Sequence, residues 1–209
     1  MQKYTDKEVR FVCDPACHSM DTYRTILKKN KDDSIIGIGL IRPNIFREFG
    51  YDLSDDEVLN LYTDIIKLLL DRNLRIIMFT NGVEKDALFG EKINSKLGVK
   101  LRVVTPHNDE EFISTVSSFR AIVSARMHAS IVAYSLNIPS INLCWNKKLI
   151  HFYENIGYTN RCIIPELFSA EYIVDSLVDV LDDDCTNKKR SPYLQSVYDF
   201  LNYNIDYLV

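Results

Sequence analysis

The sequence lacks several features that would assign the protein to a class at once. No run approaches the roughly 18–20 apolar residues of a membrane-spanning helix, and the N-terminal residues 1–6 contain no apolar signal region. The net charge is −4, and the one basic run, residues 188–190, is too short for a nucleic-acid patch. We therefore expect a cytoplasmic protein that does not bind nucleic acid.

Glycine is scarce and the cysteine spacing matches no metal motif, which argues against two further kinds of site. The chain has 5 cysteines and 7 glycines among 209 residues. Cys13 and Cys17 have no matching pair that would complete a zinc site, and Cys144 and Cys162 lie in apolar, strand-like runs. We expect buried free thiols and no metal. No glycine-rich turn follows a strand, so neither a dinucleotide fingerprint nor a Walker loop is present.

What the sequence does contain is an alternation of strand-like and helix-like segments. Residues 34–42 form a near-continuous apolar run, which is typical of a strand buried on both faces. Ser54 and Glu57 form a capping box before a helical apolar stripe, and Asn108 with Glu111 starts another helix. Further strands are predicted at 9–13, 74–80, 99–105, 121–123 and 140–144, and further helices at 84–97, 127–136, 147–156, 170–181 and 192–207.

This alternation predicts an α/β fold. Repeated strand–helix units favour an open, mostly parallel sheet with helices on both faces, and we interpret residues 31–209 as one Rossmann-like domain that includes the closing helices. In such sheets, ligands bind beyond the carboxyl ends of the strands. Chemistry is therefore expected in the loops that begin at Arg42, Thr80, Thr105, Ser124 and Cys144.

One of these loops carries residues that suit an anion and a proton. Ser124, Arg126 and His128 directly follow a strand and open a helix of small and apolar residues. A helix start offers unpaired N–H groups, Arg126 can hold a phosphate or carboxylate with two hydrogen bonds, and His128 can exchange a proton near neutral pH. A structural alternative stays open, in which Arg126 caps a neighbouring helix and His128 is a hydrogen-bonded core histidine.

Two further cations follow other strands. Arg42 ends the apolar run 34–42, and Lys148 comes just after the strand that leads to Trp145. Three cations from three loops would converge on one cleft of an otherwise acidic protein, which indicates a small anionic substrate. His107, in the loop after another strand, is a weaker candidate for a substrate contact.

The stretch 121–157 resembles the signature region of the polysaccharide pyruvyl transferase family. In that family, an apolar strand leads into Ser-x-Arg-x-His, followed by a helix, a Pro, a second strand, an aromatic residue, a Lys, a Phe and a Gly. Those positions fall here on Ser124, Arg126, His128, Pro139, Trp145, Lys148, Phe152 and Gly157. Asp14 and Pro15 resemble the segment between the two halves of the family's fold, so residues 1–30 are interpreted as a remnant of that inter-domain segment.

The resemblance implies a fold, a reaction and a set of roles. The fold resembles the C-terminal domain of a glycosyltransferase-B-like protein, whose separate N-terminal half forms the other wall of the cleft. The family transfers pyruvate from phosphoenolpyruvate to sugar hydroxyls of a cell-surface polysaccharide or its precursor, commonly as a ketal, without a cofactor. The implied roles are catalytic for Arg126 and His128 and substrate-binding for Arg42, Ser124, Trp145 and Lys148.

Two alternatives remain open at this point. The first is a glycosyltransferase or sugar-nucleotide enzyme of similar fold, in which Arg126 and Lys148 hold a diphosphate. The second is an inactive partner subunit that has lost half of its cleft. If the acceptor is a lipid-linked oligosaccharide, the protein would work at the inner face of the membrane.

Overall fold

A six-stranded parallel sheet forms the centre of the computed structural model, which describes residues 12–27, 34–181 and 190–205. The strand order is β3-β2-β1-β4-β5-β6. This is the doubly wound order of Rossmann folds, so the predicted fold class is confirmed. The strands are β1 (Ile35–Gly39), β2 (Arg75–Phe79), β3 (Val103–Val104), β4 (Ala121–Ser124), β5 (Ser140–Leu143) and β6 (Cys162–Ile163).

The helices alternate with the strands along the chain. They are α1 (Ser19–Thr22), α2 (Ile45–Glu48), α3 (Asp55–Asp71), α4 (Glu84–Leu97), α5 (Asp109–Ser117), α6 (Met127–Ser135), α7 (Lys147–Asn155), α8 (Ala170–Asp179) and α9 (Arg190–Ile205). Single 3₁₀ turns cover Pro15–His18, Thr159–Arg161 and Pro165–Leu167. Within the described ranges, no helix has the length and apolar character needed to cross a bilayer.

Local signals in the sequence set several helix boundaries. The predicted capping box opens α3: Ser54 Oγ accepts a hydrogen bond from Glu57 N at 3.2 Å, and Ser54 N donates to the Glu57 carboxylate at 2.8 Å. Asn108 caps α5 by accepting from Glu111 N at 2.8 Å. Gly98 ends α4 in the left-handed region, with φ of 68°. The predicted starts of α3 and α5 and the end of α4 are confirmed.

The apolar core lies on both faces of the sheet. On one face, Ile36, Ile38 and Val123 pack with apolar residues of α3, α4 and α8. On the other face, Phe79 and Ile122 pack with residues of α5 and α6. Successive side chains of a strand point to opposite faces, which explains why all five residues of β1 are buried and why its sequence is continuously apolar.

The two glycines of β1 allow β1 and its surroundings to approach closely. A Cβ atom on Gly37 would lie 2.4 Å from the ring of Phe119, and one on Gly39 would lie 2.2 Å from Ser124 Oγ. Real side-chain atoms do not approach this closely, so neither position accepts even a methyl group without displacement of its neighbour. These glycines therefore serve packing beside β4 and not the binding of a nucleotide.

One predicted strand is shorter in the structure than expected, and another lies largely outside the described residues. The strand predicted at 99–105 is reduced to Val103–Val104, because the side-chain amide of Asn94 makes 3.0 Å hydrogen bonds with both N and O of Leu101. The strand predicted at 9–13 lies largely outside the described residues. Its last residue, Cys13, lies outside the sheet and donates its N–H to Ser196 Oγ of α9 at 2.9 Å.

Candidate active site

The carboxyl ends of β1 and β4 mark the point at which the strand order reverses. From β1 the sheet continues to β2 and β3 on one side, and from β4 it continues to β5 and β6 on the other. The loops that leave these two central strands diverge, and the crevice between them is the usual ligand site of an open parallel sheet. The structure places the loop of Arg42 on one side of this switch point and the loop of Arg126 on the other.

Asp86 joins these two loops, and sequence analysis missed it. Its side chain is fully buried. Asp86 Oδ2 accepts hydrogen bonds from Arg126 Nε at 2.9 Å and from Arg126 Nη2, and Oδ1 accepts from Arg42 N at 2.9 Å. The sequence held a signal, because Asp86 occupies the same buried stripe of α4 as Phe89 and Ile93. A carboxylate at such a position needs a buried cation as its partner.

Arg126 keeps part of its guanidinium for a ligand. The side chain is 20% exposed, and Asp86 occupies Nε and one N–H of Nη2. Because a guanidinium carries five N–H donors, the other three can still hold a phosphate or carboxylate with two hydrogen bonds. Arg126 therefore does not act as the predicted helix cap. Its side chain instead forms an ion pair with a residue of α4.

Two buried hydroxyl groups form hydrogen bonds at the carboxyl ends of β4 and β1, next to the crevice. Ser124 is fully buried, and its Oγ accepts a hydrogen bond from Arg126 N at 3.0 Å, so it shapes the loop that carries the arginine. Tyr62 donates its hydroxyl to Gly39 O at 3.4 Å. Burial raises the pKa of Tyr62 well above its ordinary value, and the Asp86 carboxylate raises it further. The phenol is therefore neutral.

His128 lies in the first turn of α6 and faces solvent. Its side chain is 65% exposed, and its Nε2 lies 3.9 Å from Asp14 Oδ2. The alternative in which His128 is a core histidine is therefore wrong. Asp14 is itself held in place, because its Oδ1 accepts from Ala16 N at 2.9 Å. When the imidazole is protonated, the two side chains form an ion pair at the edge of the crevice.

Trp145 connects the loop after β5 to the loop after β4. Its Nε1 donates to Ala125 O at 2.6 Å, and its ring packs edge-on against Phe49 with the centroids 4.5 Å apart. The N–H of Trp145 is therefore already used, which leaves only the ring surface for a ligand. Lys148 is exposed in the first turn of α7, just after the cap residue Asn146.

Four of the cysteines lie within the described residues, and all four are free thiols. Cys13, Cys17 and Cys144 are buried as predicted, whereas Cys162 is partly exposed and Cys185 lies outside the described residues. A hydrogen bond from the Cys162 thiol lowers the pKa of Cys144 and raises that of Cys162. Where the structure describes the chain, no three His, Cys, Asp or Glu side chains are grouped to hold a metal ion.

Two cavities flank the start of α4. The first, of about 580 Å³, is lined by Arg42 and Lys85, and Glu48 on its wall accepts a hydrogen bond from Arg42 Nη2 at 2.9 Å. The second, of about 570 Å³, is lined by Glu84 and His128. Arg42 and His128 thus line neighbouring cavities, and neither of these two cavities is lined by Arg126 or Lys148, so the three predicted cations do not converge on either of them. A further cavity of about 570 Å³, between α3 and α8, lies away from this edge.

A comparison with known protein families identifies the family of this chain. A family model described as polysaccharide pyruvyl transferase matches residues 1–147. The chain belongs to the polysaccharide pyruvyl transferase family. The match includes Arg42, Arg126 and His128 of this pyruvyl transferase family member, and it ends one residue before Lys148. No curated protein sequence matches the chain.

A solved structure resembles this pyruvyl transferase family member in fold. The structure of S. aureus MnaA with UDP aligns with a TM-score of 0.53 and 15% sequence identity. The alignment covers 99% of this chain and 50% of that chain, so the present chain spans about half the length of MnaA. At this identity the likeness shows the fold alone, and it agrees with the Rossmann-like class predicted from the sequence.

Proposed function

We propose that this pyruvyl transferase family member transfers pyruvate from phosphoenolpyruvate to two hydroxyls of a sugar, as a ketal, on a cell-surface polysaccharide or its precursor. Membership of the family supports the general function. The observation that carries the proposal is Asp86 at the switch point, which accepts from the backbone N–H of Arg42 and from the guanidinium of Arg126, with exposed His128 two residues after Arg126. Such a site combines a fixed guanidinium with a proton donor.

The cationic groups suit the donor substrate, which carries both a phosphate and a carboxylate. Arg42, Lys85 and Lys92 line one cavity, and Arg126 at the neighbouring switch point has three N–H donors that Asp86 does not occupy. A guanidinium holds either anion with two parallel hydrogen bonds. Lys148 would offset the negative charge that develops as the phosphate leaves. No cofactor or metal takes part in this proposal.

The histidine suits the first chemical step. The methylene carbon of phosphoenolpyruvate gains a proton from the His128 imidazolium and becomes a methyl group, which makes the neighbouring carbon electrophilic. One sugar hydroxyl attacks that carbon and returns its proton to His128. The second hydroxyl then displaces the phosphate, which takes up that hydroxyl's proton as it leaves, and the ketal closes. General acid catalysis of this kind contributes roughly 10²–10⁴-fold. Asp14, with Oδ2 at 3.9 Å from Nε2, would orient the protonated ring.

The proposal also includes a second protein domain that forms the other wall of the cleft. The two cavities at the carboxyl ends of the strands are open to solvent, the chain spans half of a structural relative, and the segment at Asp14 resembles the junction of two halves. An open crevice leaves a ligand in water, which weakens each charge contact several-fold compared with a closed site. We therefore propose that an N-terminal half completes the cleft and that the acceptor is a sugar or a lipid-linked oligosaccharide.

Phosphate release from phosphoenolpyruvate tests the function. The chain is combined with the N-terminal half of a two-domain family member, as a fusion or as a co-expressed chain, in the presence of candidate acceptor sugars. His128→Gln should abolish the release while phosphoenolpyruvate still binds, because glutamine cannot deliver a proton. His151→Gln is a matched control, since the side-chain exposures of the two histidines are 65% and 67%. An active His128→Gln enzyme would contradict the assigned acid.

A sugar-nucleotide reaction is the second candidate, and the fold likeness to a UDP-bound protein favours testing it. A ligand that binds the native state raises the melting temperature by mass action. Stabilisation by UDP without stabilisation by phosphoenolpyruvate would favour this candidate. Binding of phosphoenolpyruvate without any turnover in the completed cleft would instead favour an inactive partner subunit.

A further inference from the structure

The cavity beside His128 opens where β2, β3 and β4 end, and the cations of the proposed donor site do not line it. Its volume of about 570 Å³ falls within the range of about 300–1,000 Å³ that is typical of ligand sites. The residues that define its character are Asn81, Glu84, His107, Asp109, Phe112 and His128.

The polar groups of this cavity suit hydroxyl groups better than an anion. Among the described residues on its wall are the carboxylates of Glu84 and Asp109 and the imidazoles of His107 and His128, but no Lys or Arg. A hydrogen bond from Tyr23 lowers the pKa of Asp109, so this carboxylate is ionised and has further lone pairs for hydroxyl donors. Because no lysine or arginine among these described residues offsets the two carboxylates, they would repel phosphoenolpyruvate.

Asn81 adds an unsatisfied hydrogen-bonding group to the wall. Its Oδ1 is buried and, within the part of the chain that the structure describes, accepts no hydrogen bond. Buried polar atoms without a partner are rare in native proteins, and each needs an explanation. Because the terminal torsion of an asparagine is soft, the amide can turn towards the cavity that this residue lines. A hydroxyl of a bound ligand would then satisfy it.

Gly82 and Phe112 give the cavity its shape. Gly82 has φ of +83°, and a Cβ atom there would lie 3.0 Å from Pro106 O, so a side chain is disfavoured on this part of the wall. Phe112 packs against Phe79, with the ring centroids 6.3 Å apart, and also lines the cavity. A held aromatic ring beside a few convergent polar groups is the usual composition of a site for a small organic ligand.

We infer that this cavity binds the neutral pyranose ring of the acceptor, through Asn81, His107 and Asp109, and presents its hydroxyls towards His128. The inference rests on the proposed function and divides the site in two. The anionic groups of the donor lie on the cationic side of the first turn of α4, its methylene carbon faces His128, and the uncharged acceptor lies on the other side of the turn.

NMR of the histidine side chains tests the site directly. The probes are the methyl pyranosides of glucose, galactose and mannose, each added to the chain at high millimolar concentration because a lone sugar ring binds weakly. At least one of them should shift the imidazole signals of His107 and His128. His18 and His151 serve as internal controls, because they lie outside this cavity. The absence of any shift at His107 and His128 with all three probes would overturn the inference.

Substitutions then assign the shift to this cavity. Asn81→Leu should weaken the binding of the glycoside by about tenfold or more, because a bound hydroxyl would then be desolvated without a hydrogen-bond partner. His107→Ala is a second variant at an exposed position, where folding is not at risk, and His128 remains as its reporter. Lys67→Met, in the remote cavity between α3 and α8, should have no effect. Shifts that survive both cavity substitutions would contradict the inference.

The failure of this inference and the failure of the proposed function are distinguishable. Phosphate release in the completed enzyme measures the reaction, and the histidine shifts measure the sugar site. Glycoside binding without any reaction of phosphoenolpyruvate would support the sugar site and refute the proposed reaction. Turnover of phosphoenolpyruvate without shifts at His107 and His128 would refute the sugar site alone.

Discussion

Replacement of Asp86 by asparagine isolates the charge that joins the two loops of the candidate site. The asparagine side chain would keep the size of the original and the oxygen that accepts from Arg42 N, but it would carry no charge opposite Arg126. Asp86 is fully buried and the Arg126 side chain is only 20% exposed. The substitution therefore leaves a guanidinium in a largely dry environment without its counter-charge.

The expected loss in the free energy of unfolding follows from this burial. Removal of one partner of a buried ion pair costs about 3–5 kcal/mol, and the partial exposure of Arg126 favours the lower end, about 3 kcal/mol. That loss corresponds to an increase of about 10²-fold in the unfolded fraction. For a chain of this size, it also corresponds to a fall of about 6–12 °C in the melting temperature.

Urea unfolding of a double-mutant cycle measures the interaction itself. The cycle compares the parent chain with Asp86→Asn, Arg126→Met and the double variant, and we expect a coupling free energy of about 1.5–3 kcal/mol. The matched control is Asp175→Asn, which breaks a 2.7 Å surface pair with Arg72 whose side chains are 40% and 64% exposed. That control should cost at most about 1 kcal/mol. Additive effects at 86 and 126, or equal costs at 86 and 175, would refute the reasoning.

Three further predictions concern the fold. Gly39→Ala places a methyl group 2.2 Å from Ser124 Oγ and should destabilise the chain by about 1–3 kcal/mol, with partial recovery in a Ser124→Gly background, as measured by urea unfolding. Asn94→Ala removes two 3.0 Å hydrogen bonds, so the Leu101 amide should exchange with deuterium faster, and protection unchanged from the parent would refute this. Hydrogen bonds from the helix cap lower the pKa of Glu57 from 4.5. That contribution to stability is present above pH 4.5 and lost as the pH falls through the folded-state pKa. The difference between parent and Glu57→Gln should therefore shrink in acid, and a constant difference in urea midpoint from neutral pH to about pH 3 would refute this.

Much of the fold could be predicted because its signals are local. The buried apolar run of β1, the capping box at Ser54 and the glycine that ends α4 each act within a few residues of their own position. The place of Arg126 and His128 followed from one general rule, that ligands bind beyond the carboxyl ends of parallel strands. These inferences needed no knowledge of contacts distant in sequence.

The features that the sequence did not predict depend on contacts between segments that are distant in the sequence. Asp86 and Arg126 are separated by 40 residues, so their pairing becomes visible only when α4 lies beside the loop after β4. The shortening of the strand at 99–105 depends on a side chain, Asn94, that replaces the expected backbone partners of Leu101. The division of the cationic and histidine residues between two cavities is likewise set by the position of one helix turn.

The first turn of α4 has a thermodynamic consequence. Three consecutive residues of this turn face three different places. Glu84 lines the cavity that contains His128, Lys85 lines the cavity that contains Arg42, and Asp86 forms the ion pair with Arg126. A displacement of this turn changes both cavities at once, so a ligand that shifts it in one cavity alters the affinity of the other. Such linkage is reciprocal: the factor by which the donor changes acceptor affinity equals the factor by which the acceptor changes donor affinity.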